Sequence, residues 1–181
     1  LKAVGRGMST NKLLHNAARL CRMDNLRVHA DLIAGLPLET EETFAASFND
    51  AYRLGAHRLQ LGFLKLLKGT PLREDAKLYG YVYRQKAPYE VITNSYLSAD
   101  GMVRIKMIAE MVDLYYNRGG FVRTLDKALA CYGNPFDFYE ELAQWYYTKG
   151  HQRKNHRKED LYRILRAFLR RWVKADDSPS F

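Results

Sequence analysis

The chain has 181 residues, of which 47% are hydrophobic and 13% aromatic, and its formal net charge is +9. This composition supports a packed core and excludes an intrinsically disordered chain. No apolar run reaches 18 residues, so we expect no membrane-spanning helix and no membrane partner. The two cysteines, Cys21 and Cys131, favour a reducing, cytoplasmic location over a disulfide scaffold.

The first part of the chain alternates between helical and strand patterns. Apolar residues recur at helical spacing in two segments, and two apolar runs rich in Leu, Ile and Val read as buried strands. Gly35 and Pro37 end the first strand, because proline cannot donate to a sheet ladder. Short joints between these elements indicate a βαβ unit with parallel strands. The predicted bounds are 9–25 and 40–56 for the helices and 26–34 and 58–66 for the strands.

The pattern becomes helical in the second part of the chain. One more strand is predicted at 89–93, where Tyr89, Val91 and Ile92 are its apolar residues. From Ser98 onward the periodicity predicts helices only. Their bounds are 98–117, 121–133, 134–150 and 158–174.

Positive charge is concentrated near the carboxyl end. Ten Lys or Arg residues lie between Lys149 and Lys174, against two acids. Such a segment can bind phosphates or nucleic acid, although a solvated helix face gives the same pattern. On the last helix we expect an apolar stripe to pack inward and the arginines to stay in water. The stripe consists of Leu161, Ile164, Leu165, Phe168, Leu169 and Trp172.

Several segments resemble a known family. "LKAVGRG", "HADLIAGLPLETEETF" and "LQLGFLKLLKGTPL" are similar to the last third of a radical S-adenosylmethionine (SAM) barrel. Similar segments occur in oxygen-independent coproporphyrinogen oxidases and in radical SAM proteins that carry a cobalamin-binding domain. "YGYV", "APYEVITNSYLS" and "YYN" resemble a helical domain of unknown function that follows the barrel in that second group.

The resemblance implies a fold and a division into domains. The fold class is α/β plus α: a partial parallel (β/α) barrel segment of two to three strands, followed by a helical domain. Residues 1–75 would be the carboxyl-terminal part of the barrel and 76–175 the appended domain, with 176–181 as a tail.

The resemblance also implies cofactor-binding residues. Asp31 takes the place of the fifth-strand carboxylate that binds SAM, often through a ribose hydroxyl, and Gly35 follows it in the turn. Arg6 matches the arginine that meets the methionyl carboxylate, for which a guanidinium offers a bidentate fork. The residues by themselves also allow Asp31 to be a buried acid paired with a local arginine or backbone donor.

Three more residues are candidates for the substrate side of such a site. Lys65, Lys68 and Thr70 follow the second strand, and barrel sites are built at the carboxyl ends of strands. A solvated loop is the equal alternative.

Cysteine usage limits what this chain can do. The family's chemistry needs a four-iron cluster on a C-x3-C-x2-C motif, and Cys21 and Cys131 form no such motif. We therefore predict no catalytic residue, no metal ligand and no bound cofactor in this chain. SAM, the cluster and, as a candidate, cobalamin would belong to the parent protein.

The hypothesis is a fragment of a radical SAM, iron–sulfur oxidoreductase-like enzyme that is inactive alone. It would contribute part of the SAM-binding wall and a helical accessory domain, and its partner would be the remainder of the parent protein. Because the strand that should pair with 26–34 is missing, a homodimer through that edge is also predicted. The alternative is a basic helical module that binds nucleic acid or a partner domain.

Overall fold

The computed structural model describes residues 10–173 and contains helices and small sheets, with helices dominant. A π-helical turn, Val112–Asn117, continues the fourth helix. None of the helices within these residues is long and apolar enough to cross a membrane. The elements are α1 (Thr10–Cys21), β1 (His29–Ala34), α2 (Glu41–Arg53), β2 (Arg58–Phe63), α3 (Pro71–Glu74), β3 (Val82–Tyr83), β4 (Val91–Thr93), α4 (Ala99–Met111), α5 (Val122–Tyr132), α6 (Pro135–Thr148) and α7 (Lys158–Val173).

The predicted parallel unit is present. β1 and β2 pair in parallel, with His29 opposite Arg58 and Ala34 opposite Phe63. α2 connects them, and its first turn is fixed by Thr40, whose hydroxyl accepts a hydrogen bond from the Thr43 N–H at 3.3 Å. Parallel strands need such a crossover, because a tight turn can join only antiparallel strands.

The two faces of this sheet differ. Ala34, Leu59 and Leu61 are buried on one face, whereas Asp31 and its neighbour Gln60 are exposed on the other. The prediction that 26–34 is a buried strand is therefore wrong in two respects, since β1 begins at His29 and buries only one face. The reason is that no described element packs on the face that carries Asp31.

The predicted third strand exists but is not parallel. β4 pairs antiparallel with β3, so that Val82 lies opposite Thr93. The turn before β4 closes when the Tyr89 N–H donates to the Lys86 carbonyl at 3.0 Å. A short connection of this kind dictates an antiparallel hairpin, which limits the described parallel sheet to two strands.

The outer edge of β2 is covered by the rest of the chain. The Asn117 side chain accepts a hydrogen bond from the Leu59 N–H at 3.0 Å and donates one to the Leu59 carbonyl at 2.9 Å. Further along, the Leu66 N–H donates to Tyr89 O at 3.0 Å, and the Val91 N–H donates to Leu64 O at 2.9 Å.

The opposite edge of the sheet belongs to β1. Among residues 10–173, β1 has no strand partner other than β2. The segment around Tyr89 covers the edge of β2 and leaves that of β1 free. Association of two copies through the β1 edge therefore stays a prediction.

One hydrophobic core runs through both parts of the chain, from Ala34 to Phe168. Phe48 of α2 meets Phe136 and Tyr139 of α6 edge to face, at centroid distances of 5.7 and 6.0 Å. Such aromatic pairs stabilise beyond the area they bury. The later helices and the βαβ unit therefore share one packed core.

The last helix packs as its pattern predicts. Leu161, Ile164, Leu165 and Phe168 are buried, whereas Arg163, Arg166, Arg170 and Arg171 are exposed. The prediction is confirmed for these residues, and the side chain of Trp172 lies outside the described part.

Replacement of Asn117 by alanine tests the covered strand edge. The change removes both hydrogen bonds to Leu59, a fully buried residue. We expect a loss of about 2–3 kcal/mol in the free energy of unfolding, because a buried N–H and a buried C=O lose their partner. Urea denaturation measures it. The control is Asn155→Ala on the exposed surface, for which a change below about 0.5 kcal/mol is expected. Equal losses in the two variants would contradict this assignment.

Candidate functional site

The carboxyl ends of β1 and β2 lie side by side, as parallel pairing requires. Sites in parallel α/β folds are built at this edge. The described residues include two non-glycine residues with positive φ, Leu38 at 64° and Tyr89 at 60°. Leu38 lies in the loop after β1. The Tyr89 carbonyl accepts a hydrogen bond from the Leu66 N–H, which lies in the segment after β2. Strained backbone concentrates at functional sites, so this edge is the candidate site.

The loop after β1 is held by two buried side chains from the second part of the chain. The Gly35 carbonyl accepts hydrogen bonds from the Tyr81 hydroxyl at 2.9 Å and from the Asn94 amide at 3.2 Å. Gly35 itself has φ = 90°, and a Cβ there would lie 3.4 Å from Met102 Cε. Glycine is therefore favoured here by the backbone conformation, since a Cβ would make only an ordinary contact with Met102.

The same loop carries a carboxyl group with an unusual environment. Glu39 Oε2 is buried and has no hydrogen-bond partner among the described residues. Burial raises the pKa of Glu39 to about 7, although the backbone amides of Leu36 and Gly35 oppose this shift. A carboxyl group that titrates near neutral pH at this edge can hold or release a proton.

The segment after β2 carries a basic and aromatic cluster. The Arg73 guanidinium carbon lies 5.1 Å from the ring centroid of Tyr83 and 4.9 Å from that of Tyr89. Arg73 Nη1 also donates to the Leu66 carbonyl at 2.8 Å. Lys68 Nζ lies 5.9 Å from the Tyr89 centroid. We call Lys68, Arg73, Tyr83 and Tyr89 the Arg73 cluster.

The cofactor-binding candidates have different positions. Asp31 lies in the middle of β1 and is exposed, and its carboxylate forms no hydrogen bond or ion pair with any other described residue. The alternative of a buried, paired acid is therefore wrong. Gly35 forms the turn that follows. Arg6 lies outside the described residues, and its predicted approach to Asp31 stays a prediction.

The three substrate-side candidates separate into two kinds. Lys65 and Lys68 are exposed at the end of β2, and Lys68 belongs to the Arg73 cluster. The Thr70 hydroxyl donates to the Leu67 carbonyl at 2.8 Å, so it shapes the loop.

Sequence reasoning missed Glu39, Arg73, Tyr81 and Tyr83. The signals available were the acid two residues after the Gly-Leu-Pro turn and the tyrosines at every second position of "YGYVY".

The cysteines do not fit an iron–sulfur cluster held by three thiolates. Cys21 is half-buried on α1, and Cys131 is exposed on α5. Nowhere in residues 10–173 do three or more His, Cys, Asp or Glu side chains form a group suited to a metal ion. No chemical step through a cluster is therefore assigned to this chain.

Glu39→Gln tests the perturbed carboxyl group. Because the folded-state pKa lies above the ordinary value, Glu39 contributes stability that is present below pH 4.5 and lost as the pH rises through about 7. Glutamine does not titrate. We expect the stability of the variant relative to wild type to rise by about 1–2 kcal/mol over this interval, with solvent screening included. Urea denaturation from pH 4 to 8 measures it. Glu74→Gln, at an exposed position, is the control, and parallel curves for Glu39→Gln and wild type would refute the assignment.

Leu38→Gly tests the strained loop. Leu38 is 57% exposed, so little packing is lost, and glycine adopts its φ of 64° freely. We expect a gain of about 0.5–1 kcal/mol in the free energy of unfolding. Relief of the backbone strain stabilises the folded state, and the greater conformational entropy of glycine in the unfolded chain offsets part of that gain. Leu67→Gly is the matched control, because Leu67 is 51% exposed without a positive φ. The Leu67→Gly variant should have a lower free energy of unfolding than wild type. If Leu38→Gly also lowers the free energy of unfolding, Leu38 is not strained.

Comparison with known proteins places the second part of the chain. No curated protein matches the chain. Residues 77–179 match the family described as "Protein of unknown function (DUF4080)". The match includes Tyr81 and Asn94, which hold the Gly35 loop, and Tyr83 and Tyr89 of the Arg73 cluster. Because it covers more than half of the 181 residues, the chain belongs to the DUF4080 family.

Proposed function

We propose that this chain is the carboxyl-terminal part of a radical SAM enzyme of the iron–sulfur, oxidoreductase-like kind. It supplies the last strands of the barrel, part of the SAM-binding wall and the accessory helical domain. The observation that carries the proposal is the β1–α2–β2 unit, one face of which is packed on helices while the other exposes Asp31.

The edges of the sheet support this placement. Asn117 and the Tyr89 segment cover the outer edge of β2, so further strands can join only beside β1. In a barrel of consecutive parallel units, β2 is then the last strand and all others come earlier in the chain. The exposed face would line the barrel interior, where the free Asp31 carboxylate can accept hydrogen bonds from ribose hydroxyls.

The family adds a second line of support. DUF4080 domains occur with radical SAM and cobalamin-binding proteins. In this proposal the parent protein holds the cluster, and cobalamin where it is used, because the cysteines of this chain do not fit a cluster. SAM would supply the radical chemistry, and Asp31, Gly35 and Arg6 would help to bind it. The partner of this chain is the remainder of the parent.

A second function is favoured by one observation. The nine Lys and Arg residues from Lys149 to Arg171 are all exposed, and Arg163 is the one with a carboxylate partner in the described structure. This surface is suited to nucleic acid or an acidic partner domain. We place it second, because exposed cations on an amphipathic helix are also the ordinary solvent face.

Asp31→Asn tests the first proposal in a longer protein that joins this chain to an upstream C-x3-C-x2-C segment. Loss of a charge-assisted hydrogen bond should weaken SAM binding about 10–100-fold. Equilibrium binding of SAM measures it, and the exposed Asp24→Asn is the control, with unchanged affinity expected. Equal SAM affinity in Asp31→Asn and wild type would refute the role of Asp31. Failure of the cluster-loaded protein to bind SAM would refute the function.

A further inference from the structure

We infer that the Arg73 cluster is a binding site for the phosphate group of a small phosphorylated molecule. The inference deepens the proposed function. It rests on that function only where it treats the phosphorylated molecule as the substrate of the enzyme. The phosphate site itself follows from the contacts of Arg73, Lys68, Tyr83 and Tyr89.

Arg73 is a positioned cation that has no anionic partner among residues 10–173. Its guanidinium lies within about 5 Å of the centroids of Tyr83 and Tyr89, and one nitrogen donates to the Leu66 carbonyl. Its other N–H groups form no hydrogen bond with the described residues, and no described carboxylate lies within 4 Å of it. A guanidinium that contacts two rings and one carbonyl keeps further N–H groups without a partner among the described residues, and a planar fork of N–H groups matches two phosphate oxygens.

Further basic residues lie on the segments that carry the Arg73 cluster. Lys68 approaches the same tyrosine ring, and the exposed side chains of Lys65, Arg84 and Lys86 have no ion pair within residues 10–173. Of the nearby acids, Glu90 is already paired with Lys106 at 2.5 Å. Glu74 and Asp75 follow Arg73 along the chain but form no ion pair with it. The unneutralised charge would attract an anion to this edge.

The backbone holds the cluster in place. Tyr89 has a φ of 60°, unusual for a bulky residue, and its N–H and carbonyl are both hydrogen bonded. Because both backbone groups of Tyr89 are hydrogen bonded, the direction of its side chain is fixed. The Tyr89 ring in turn orients the Arg73 guanidinium. Preorganisation of this kind is typical of a binding site.

The size of the cluster favours a small ligand over a nucleic acid. Its two positioned cations, Arg73 and Lys68, both lie beside one ring, which suits one phosphate or pyrophosphate group. A single-stranded nucleic acid needs a groove that follows several nucleotides.

Calorimetric titration of the 181-residue chain with pyrophosphate at low salt tests the inference. We expect saturable binding with one molecule per chain. Arg73→Lys keeps the charge but loses the fork, and should weaken binding at least 10-fold. Lys68→Ala, at an exposed position where folding is not at stake, should weaken it several-fold. Arg123→Lys and Lys127→Ala are matched controls on the exposed surface of α5 and should bind as wild type does.

Three outcomes would overturn the inference. One is the lack of saturable pyrophosphate binding, and another is wild-type affinity in both Arg73→Lys and Lys68→Ala. The third is binding of single-stranded RNA with a steep salt dependence while pyrophosphate does not bind. The two proposals can be separated. If pyrophosphate binding depends on Arg73 while SAM affinity is the same in Asp31→Asn and wild type, the phosphate site stands and the proposed function is rejected.

Discussion

Hydrogen bonds along the outer edge of β2 join the parallel-strand unit to the rest of the chain. Asn117 pairs with both backbone groups of Leu59, and the segment from Tyr89 to Val91 pairs with the backbone from Leu64 to Leu66. An uncovered strand edge is a template for association, so this contact decides where the sheet stops. It also leaves β1 as the place where further strands can be added.

A second set of hydrogen bonds from the later part of the chain organises the loops at the carboxyl ends of the strands. Tyr81 and Asn94, which lie on either side of the β3–β4 hairpin, fix the Gly35 carbonyl, and Tyr89 lies in the turn of that hairpin. The family-specific part of the chain therefore sets the geometry of the loop that carries Glu39. The loop after β1 contains the strained Leu38, and the β3–β4 turn contains the strained Tyr89. Strained backbone persists only where surrounding contacts hold it, so the shape of both segments depends on their hydrogen bonds to distant parts of the chain.

The two basic regions of the chain differ in physical character. The arginines of α7 extend into water, where long side chains keep their conformational freedom and their charges are screened. Arg73 is half-buried, contacts two tyrosine rings and donates a hydrogen bond to a carbonyl, so less freedom remains to be lost when an anion binds. Net charge alone does not distinguish the two regions, whereas the packing around each cation does.

Local patterns in the sequence were enough to predict the βαβ unit, the later helices and the buried stripe of α7, because hydrophobic periodicity is set by nearby residues. The resemblance pointed to Asp31, Gly35 and the lysines after β2 but gave no contacts for them. Tertiary structure alone decided that the Asp31 face is exposed and that Glu39 is buried. It also brought Asn117 to Leu59 across 58 residues of chain. Such pairings depend on which surfaces remain uncovered once the elements have packed, and local periodicity carries no information about that choice.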